Sequence, residues 1–203
     1  MSYDIRLKDP VTDETIQLPV KHLMTGGTYR ADYDERTKTF SPAAISDAWL
    51  NVTYNYGQYY YEATEGDARF AHDEISAYYA DGTTGPVETE YGIRGIYGKS
   101  GAESIDMLRD MIRRIESRYK TNGEWIVTSR ERLRYWSKEG QEVDFHYVLR
   151  HGSEGVVREK FSEDISEGPN SNYWEATAAN AIKPLYQLMA MAQLRPDGIW
   201  DGD

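Results

Sequence analysis

Large apolar side chains are concentrated between Ser41 and Tyr61, where they recur three and four residues apart. That spacing predicts one buried stripe of a helix, formed by Ile45, Trp49, Val52, Tyr56 and Tyr59/Tyr60. Ser41 followed by Pro42 is typical of an N-cap with proline at the first helical position. We therefore predict a central helix over 41–61, onto which the other elements pack.

Two β-hairpins are predicted before this helix. Tyr3–Leu7 and Thr15–Leu18 alternate apolar and polar residues on either side of the polar segment Asp9–Glu14, as the strands of a hairpin do. A second, short hairpin is predicted to pair 28–31 with 37–40.

Segment 62–91 is rich in acidic residues and turn signals. Within it, the spacing of Phe70, Ile75 and Tyr78/Tyr79 predicts a short helix. Four glycines then recur at every third position, and they predict left-handed or closely packed backbone in a buried loop: Gly92, Gly95, Gly98 and Gly101.

The best-defined helix is predicted over 101–120. Ser100-Gly-Ala-Glu103 matches a capping box at its start, and Asn122-Gly123 is typical of its end. The predicted buried stripe consists of Ile105, Leu108, Ile112, Ile115 and Tyr119.

Four strands of an antiparallel region are predicted next: Trp125–Thr128, Arg132–Trp136, Glu142–Arg150 and Val156–Phe161. Ser137–Gly140 predicts a hairpin turn, and the polar segment 162–172 predicts a flexible link.

A last helix is predicted to begin at the N-cap Thr177. Pro184 lies inside its pattern, so it either kinks the helix or moves the helix start to near Asn180. The tail 197–203 is predicted to fold back and bury Ile199 and Trp200.

These elements predict an α+β fold with an N-terminal β-hairpin, two to three main helices and an inserted antiparallel β region. A chain of 203 residues fits a single domain. We interpret 62–91 as an acidic insertion and 121–170 as an inserted β-rich subdomain.

Composition excludes several kinds of chemistry. The chain has no cysteine, which excludes disulfides, zinc–thiolate sites and thiol catalysis. The start MSYDIRLKD is too polar for a signal peptide, and no window approaches the roughly 18 apolar residues of a membrane span. We expect a soluble, cytoplasmic protein without a cofactor.

Two zones account for the whole net charge of −11, namely 61–92 with net −7 and 161–203 with net −5, because the other residues together carry net +1. The first zone holds Glu62, Glu65, Asp67, Asp73, Glu74, Asp81, Glu88 and Glu90. These residues either keep the protein soluble or form a surface complementary to a basic partner, such as the nucleic-acid groove of another protein. Direct binding of DNA or RNA is not expected, because it needs a basic surface.

Gly98-Lys-Ser100 at a helix start is similar to the end of a phosphate-binding P-loop. The position that should hold the first glycine of that motif is Ile93, so the motif is incomplete. A weaker anion site, built from Arg94, Gly98, Lys99, Ser100 and the amides that follow, stays open.

Two further groups of polar residues are candidates. His72-Asp73-Glu74 contains metal-ligand types, but adjacent residues of a strand or helix point in different directions, so we expect a solvated face and no metal site. Asn51, Tyr54 and Asn55 flank the aromatic stripe, where they form either an internal hydrogen-bond network or a ligand pocket. No catalytic residue is predicted.

Five blocks carry a resemblance to a known family: MSYDIRLKDPVT, KHLMTGGTY, AWLNVTYNY, GIRGIYGKSGAESI and NYWEATAANAIKPLYQLMAMAQLRPDGIWDGD. They resemble uncharacterised accessory proteins carried on phages and mobile elements of gut Firmicutes. Shorter members of that family lack much of 62–90 and 121–170. The resemblance implies a mobile-element protein in a bacterial host, and it implies no reaction, cofactor or catalytic residue.

We therefore expect a non-enzymatic, anti-CRISPR-like protein that binds and inhibits a bacterial defence protein. Its acidic surface would dock on a basic nucleic-acid groove, such as that of a CRISPR effector nuclease. The alternative is a binder or sponge of an anionic nucleotide at the glycine turn 94–103. A metal-dependent hydrolase is the third interpretation.

Overall fold

The computed structural model describes residues 2–23, 31–42, 44–78, 84–122, 127–143, 156–166 and 175–203. Several predicted features lie outside these ranges: the first half of the second hairpin before residue 31, Asp81, Gly123 at the predicted helix end, most of the predicted strand 142–150, and the link after residue 166.

The described residues form twelve strands and three α-helices. The strands are β1 (Ser2–Lys8), β2 (Gln17–His22), β3 (Ala31–Asp34), β4 (Thr39–Pro42), β5 (Ile45–Asp47), β6 (Trp49–Thr53), β7 (Ala71–Tyr78), β8 (Thr84–Tyr91), β9 (Val127–Trp136), β10 (Glu142–Val143), β11 (Val157–Ser166) and β12 (Ile199–Gly202). The helices are α1 (Gly57–Thr64), α2 (Gly101–Arg118) and α3 (Ala178–Leu194). These helices and small antiparallel sheets confirm the predicted α+β class.

The chain divides into two compact units. The first unit comprises Met1–His72, Tyr91–Trp125 and Glu167–Asp203, and the second comprises Asp73–Glu90 and Ile126–Ser166. The second unit lies within the two segments interpreted as insertions, whereas residues 62–72 and 121–125 belong to the first. That these segments are insertions stays a prediction.

The predicted central helix over 41–61 is wrong. This segment contains the end of β4, then β5 and β6, and α1 begins only at Gly57. Along β6, Leu50 and Val52 are buried while Trp49 is half-buried, which is the two-residue period of a strand. β-Branched residues such as Val52 and Thr53 favour that conformation. The residues of the predicted stripe come from different elements, with Ile45 in β5, Trp49 and Val52 in β6, and Tyr59 and Tyr60 in α1. Their helical spacing is therefore a coincidence of where these elements fall.

Strand β1 is the centre of a three-stranded sheet in the order β12-β1-β6. Ile5 lies opposite Leu50 in β6 and Gly202 in β12. The predicted turn Asp9–Glu14 is present, because the Asp9 amide donates to the Glu14 carbonyl at 2.9 Å. The predicted hairpin is formed only beside this turn, where Thr15 bridges Lys8 and the Ile16 amide donates to the Leu7 carbonyl at 2.9 Å. From Gln17 onward β2 pairs with β5, because β6 occupies that edge of β1 from Arg6 back to Ser2.

Two other predicted elements differ in the structure. The second hairpin is formed by β3 and β4, further along the chain than predicted, with Asp34 opposite Thr39. The short helix predicted over 70–79 is wrong, because β7 and β8 form a two-stranded ribbon there. In the sequence, Asp81-Gly82 follows β7 and precedes β8, and this dipeptide is a strong hairpin signal.

The core of the first unit is one cluster that joins the sheet to the helices. Helix α2 packs against α3, and α1 packs against α2. The fully buried residues include Ile5, Leu7, Leu50 and Val52 from the sheet, Tyr56, Tyr59 and Tyr60 near α1, Leu108, Met111 and Ile112 from α2, and Leu185 and Leu188 from α3. Ile105 and Tyr119 of the predicted α2 stripe are only half-buried.

Both long helices begin as predicted. The Ser100 side chain and Glu103 form a complete capping box at α2, and the Asn180 amide donates to Thr177 Oγ1 at 3.1 Å to cap α3. Helix α3 begins at Ala178 and continues through the buried Pro184. Proline therefore does not move the start of this helix.

The four recurring glycines have the predicted role. Gly92 and Gly98 have φ values of 142° and 76°, which residues other than glycine rarely adopt. A Cβ atom on Gly95 would lie 2.4 Å from Phe70 Cα, and one on Gly101 would lie 2.5 Å from the Arg195 carbonyl. The turn is thus left-handed at two positions and closely packed at the other two.

The second unit contains a three-stranded sheet in the order β10-β9-β11. Strands β9 and β11 pair along their whole length, from Trp136 opposite Val157 to Val127 opposite Ser166. The predicted turn at Ser137–Gly140 is present, with the Gly140 amide 3.0 Å from the Ser137 carbonyl. None of the helices in the described part of the chain combines the length and apolarity that crossing a membrane needs.

Trp200→Ala should lower the free energy of unfolding by about 3–5 kcal/mol, because it leaves a large cavity in the core. Trp200 is 1% exposed, and its Nε1 donates to Ser104 Oγ at 2.7 Å. Tyr186→Ala, at a side chain that is 44% exposed, is the control. Chemical denaturation of both variants provides the measurement, and equal midpoint shifts would show that the tail does not hold the core together.

Candidate functional site

The acidic segment 62–90 is divided between the two compact units. Glu62, Glu65 and Asp67 belong to the first unit, whereas the acidic residues from Asp73 to Glu90 belong to the second. Asp81 lies outside the described residues. The two groups differ in what surrounds them.

Asp67 is the centre of an ion-pair network. Its carboxylate accepts hydrogen bonds from Arg69 Nη2 and Arg114 Nη2, both at 2.7 Å, and Arg69 also reaches Asp110 Oδ2 at 3.0 Å. The side chain of Asp67 is only 16% exposed. The two guanidinium groups, Arg69 first, hold the pKa of Asp67 well below its usual range. Asp67 therefore joins the turn after α1 to α2.

The other two acidic residues of the first unit also have internal partners. The Glu62 carboxylate accepts from Arg118 Nη1 at 3.4 Å and from the Tyr119 hydroxyl. The Tyr61 hydroxyl donates to Glu65 Oε1 at 3.2 Å. Arginines that are distant in sequence thus neutralise much of the charge that 62–67 carries.

Within the acidic segment 62–90, the carboxylates without a side-chain partner among the described residues lie in the second unit. Asp73, Glu74 and Glu88 are exposed on the β7–β8 ribbon, and none forms an ion pair with a residue that the structure describes. Glu90 is half-buried. Asp73 and Glu74 are neighbours in a strand, so they project to opposite faces, and the negative charge surrounds the ribbon.

The glycine turn offers no open amides to an anion. Each amide from Gly98 to Ser104 donates to a protein acceptor. The carbonyl groups of Pro196, Gly198 and Trp200 accept three of these hydrogen bonds at 2.7–2.9 Å. The Glu103 carboxylate accepts from the Ser100 amide at 2.8 Å. The positive end of α2 is therefore satisfied within the chain.

Arg94 is also engaged. Its Nη2 donates to the Tyr54 hydroxyl at 2.9 Å and its Nε to the Asp203 main-chain oxygen at 3.0 Å. The guanidinium lies 5.3 Å from the ring centroid of Tyr3, a cation–π distance. Of the four predicted anion-binding residues, only Lys99 has a side chain without a hydrogen bond to the described residues. One lysine does not make the predicted site.

The predicted polar group on the aromatic stripe is divided between two networks. Asn51 Nδ2 donates to Ser2 Oγ at 2.8 Å and to Asp4 Oδ1 at 3.1 Å, across the β1–β6 pair. Tyr54 instead pairs with Arg94, and Asn55 is exposed. Asn51 and Tyr54 therefore hold strands and loops together through separate hydrogen bonds.

Metal-ligand residues do not cluster in the part of the chain that the structure describes. Across the ranges that the structure describes, no group of three or more His, Asp or Glu residues is placed to hold a metal ion. In His72-Asp73-Glu74 the imidazole Nδ1 lies 3.2 Å from the Phe70 carbonyl, and the two carboxylates are exposed. This arrangement agrees with the expected solvated face.

A depression of about 360 Å³ lies between the turn after β1 and the tail. Its lining combines apolar groups with three carboxylates and one ammonium: Lys8, Asp9, Pro10, Asp13, Tyr97, Gly98 and 199–202. Sequence reasoning missed this feature because its walls come from three distant segments. Only the close spacing of acidic residues at 9–14 and 197–203 hinted at it.

No family model, curated protein or solved structure matches this chain. The resemblance to phage and mobile-element accessory proteins therefore stays a prediction. What the described residues define is an α+β protein whose acidic residues at 62–67 have internal partners and whose β7–β8 ribbon carries exposed carboxylates.

Asp67→Asn should lower the free energy of unfolding by about 1–2 kcal/mol at pH 7, because it removes charge-assisted hydrogen bonds at a mostly buried site. Folding lowers the pKa of Asp67 below its ordinary value of 3.8. The stabilisation is thus fully present above that value and is lost as the pH falls through the lower, folded pKa. Urea titrations at about pH 7 and pH 3 should show the gap to wild type narrowing in acid. Asp106→Asn, at an exposed pair on α2, is the control, and a gap independent of pH would contradict the assignment.

Nucleotides at millimolar concentration should leave the melting temperature unchanged, because the amides of the glycine turn already have acceptors. Thermal shift with ATP, GTP and cyclic dinucleotides provides the measurement. A rise in melting temperature that Lys99→Glu abolishes would restore the nucleotide-binding alternative.

Proposed function

We propose that this protein is a non-enzymatic binding protein that docks the exposed carboxylates of the β7–β8 ribbon on a basic surface of another protein. One observation carries the proposal: Asp73, Glu74 and Glu88 are exposed, and their carboxylates form no ion pair with the described residues. Charged groups arranged in this way steer association with a partner of opposite charge.

The contrast between the two parts of the acidic segment 62–90 supports this assignment. In the first unit, Arg114 and Arg118 of α2 and Arg69 of the turn after α1 pair with the carboxylates of Asp67 and Glu62. Such pairs contribute to the fold and leave little net field outside. The ribbon carries carboxylates without such partners among the described residues, so its charge is free to act on another molecule.

The class of partner comes from the sequence. Resemblance to accessory proteins of phages and mobile elements favours a bacterial defence protein in the cytoplasm of the host. The nucleic-acid groove of a CRISPR effector nuclease is basic, because it must bind phosphates. An anti-CRISPR-like inhibitor is therefore the form of the function that we propose.

The other two interpretations have weaker support. A nucleotide binder at 94–103 would need amides that already donate to the tail and to Glu103. A metal-dependent hydrolase would need a cluster of ligands, which the described residues do not contain.

Reversing Asp73, Glu74 and Glu88 together to lysine should slow association with the partner about ten-fold or more at low salt, and change dissociation and stability little. Affinity capture from a host lysate identifies the partner, and surface-based kinetics at several salt concentrations measures the rates. The salt dependence should be steep for wild type and shallow for the variant.

The matched control reverses three exposed carboxylates of the first unit, Glu35, Asp106 and Glu175. It makes the same change in net charge at other places, so it separates the ribbon from an effect of overall charge. If the ribbon variant and the control associate equally fast, the acidic ribbon is only a solubilising surface.

A further inference from the structure

We draw no further inference here: the strongest candidate, the partly exposed apolar patch of Trp136, Val157 and Phe161 on one face of the β9–β11 sheet, carries none, because the charged neighbours Arg134 and Glu142 on that face pair with each other and nothing in the structure shows what covers the patch.

Discussion

The first unit depends on how strand β12 fits between β1 and the glycine turn. The buried indole of Trp200 supplies apolar area, and its N–H is satisfied by Ser104 Oγ at 2.7 Å. The main chain of Trp200 makes two hydrogen bonds to the glycine turn. The Trp200 amide donates to the Lys99 carbonyl at 2.9 Å, and the Gly98 amide donates to the Trp200 carbonyl at 2.8 Å. One short strand thus couples the sheet, the glycine turn and the start of α2.

This close fit explains why glycine occurs where the chain segments meet. A Cβ atom on Gly202 would lie 2.4 Å from the Tyr97 ring, and one on Gly101 would lie 2.5 Å from the Arg195 carbonyl. Where these segments meet, the amides of the glycine turn donate to main-chain carbonyl groups, and a phosphate would need the same amides. Packing of the tail and anion binding at this turn therefore compete for the same hydrogen-bond donors, and in this structure the tail has them.

How much of the candidate site could be predicted differs between its parts. Sequence reasoning singled out the acidic segment, and Asp73, Glu74 and Glu88 are exposed as a solvated acidic face requires. It could not show that Asp67 pairs with Arg114, because that contact joins residues 47 positions apart. For the same reason it missed the depression beside Asp13. Formal charge is a property of the sequence, whereas the charge available to a partner depends on which arginines the fold brings near.

Local chemistry in the sequence determined the helix starts and the turns. The capping box at Ser100, the cap at Thr177 and the turn at Ser137–Gly140 each need only a few neighbouring residues, so their hydrogen bonds could be predicted. Only the tertiary structure decided the conformation of 41–61 and the partner of β2. Strand pairing joins distant segments, and its free energy depends on which edges are free. A periodic pattern within one segment does not contain that information.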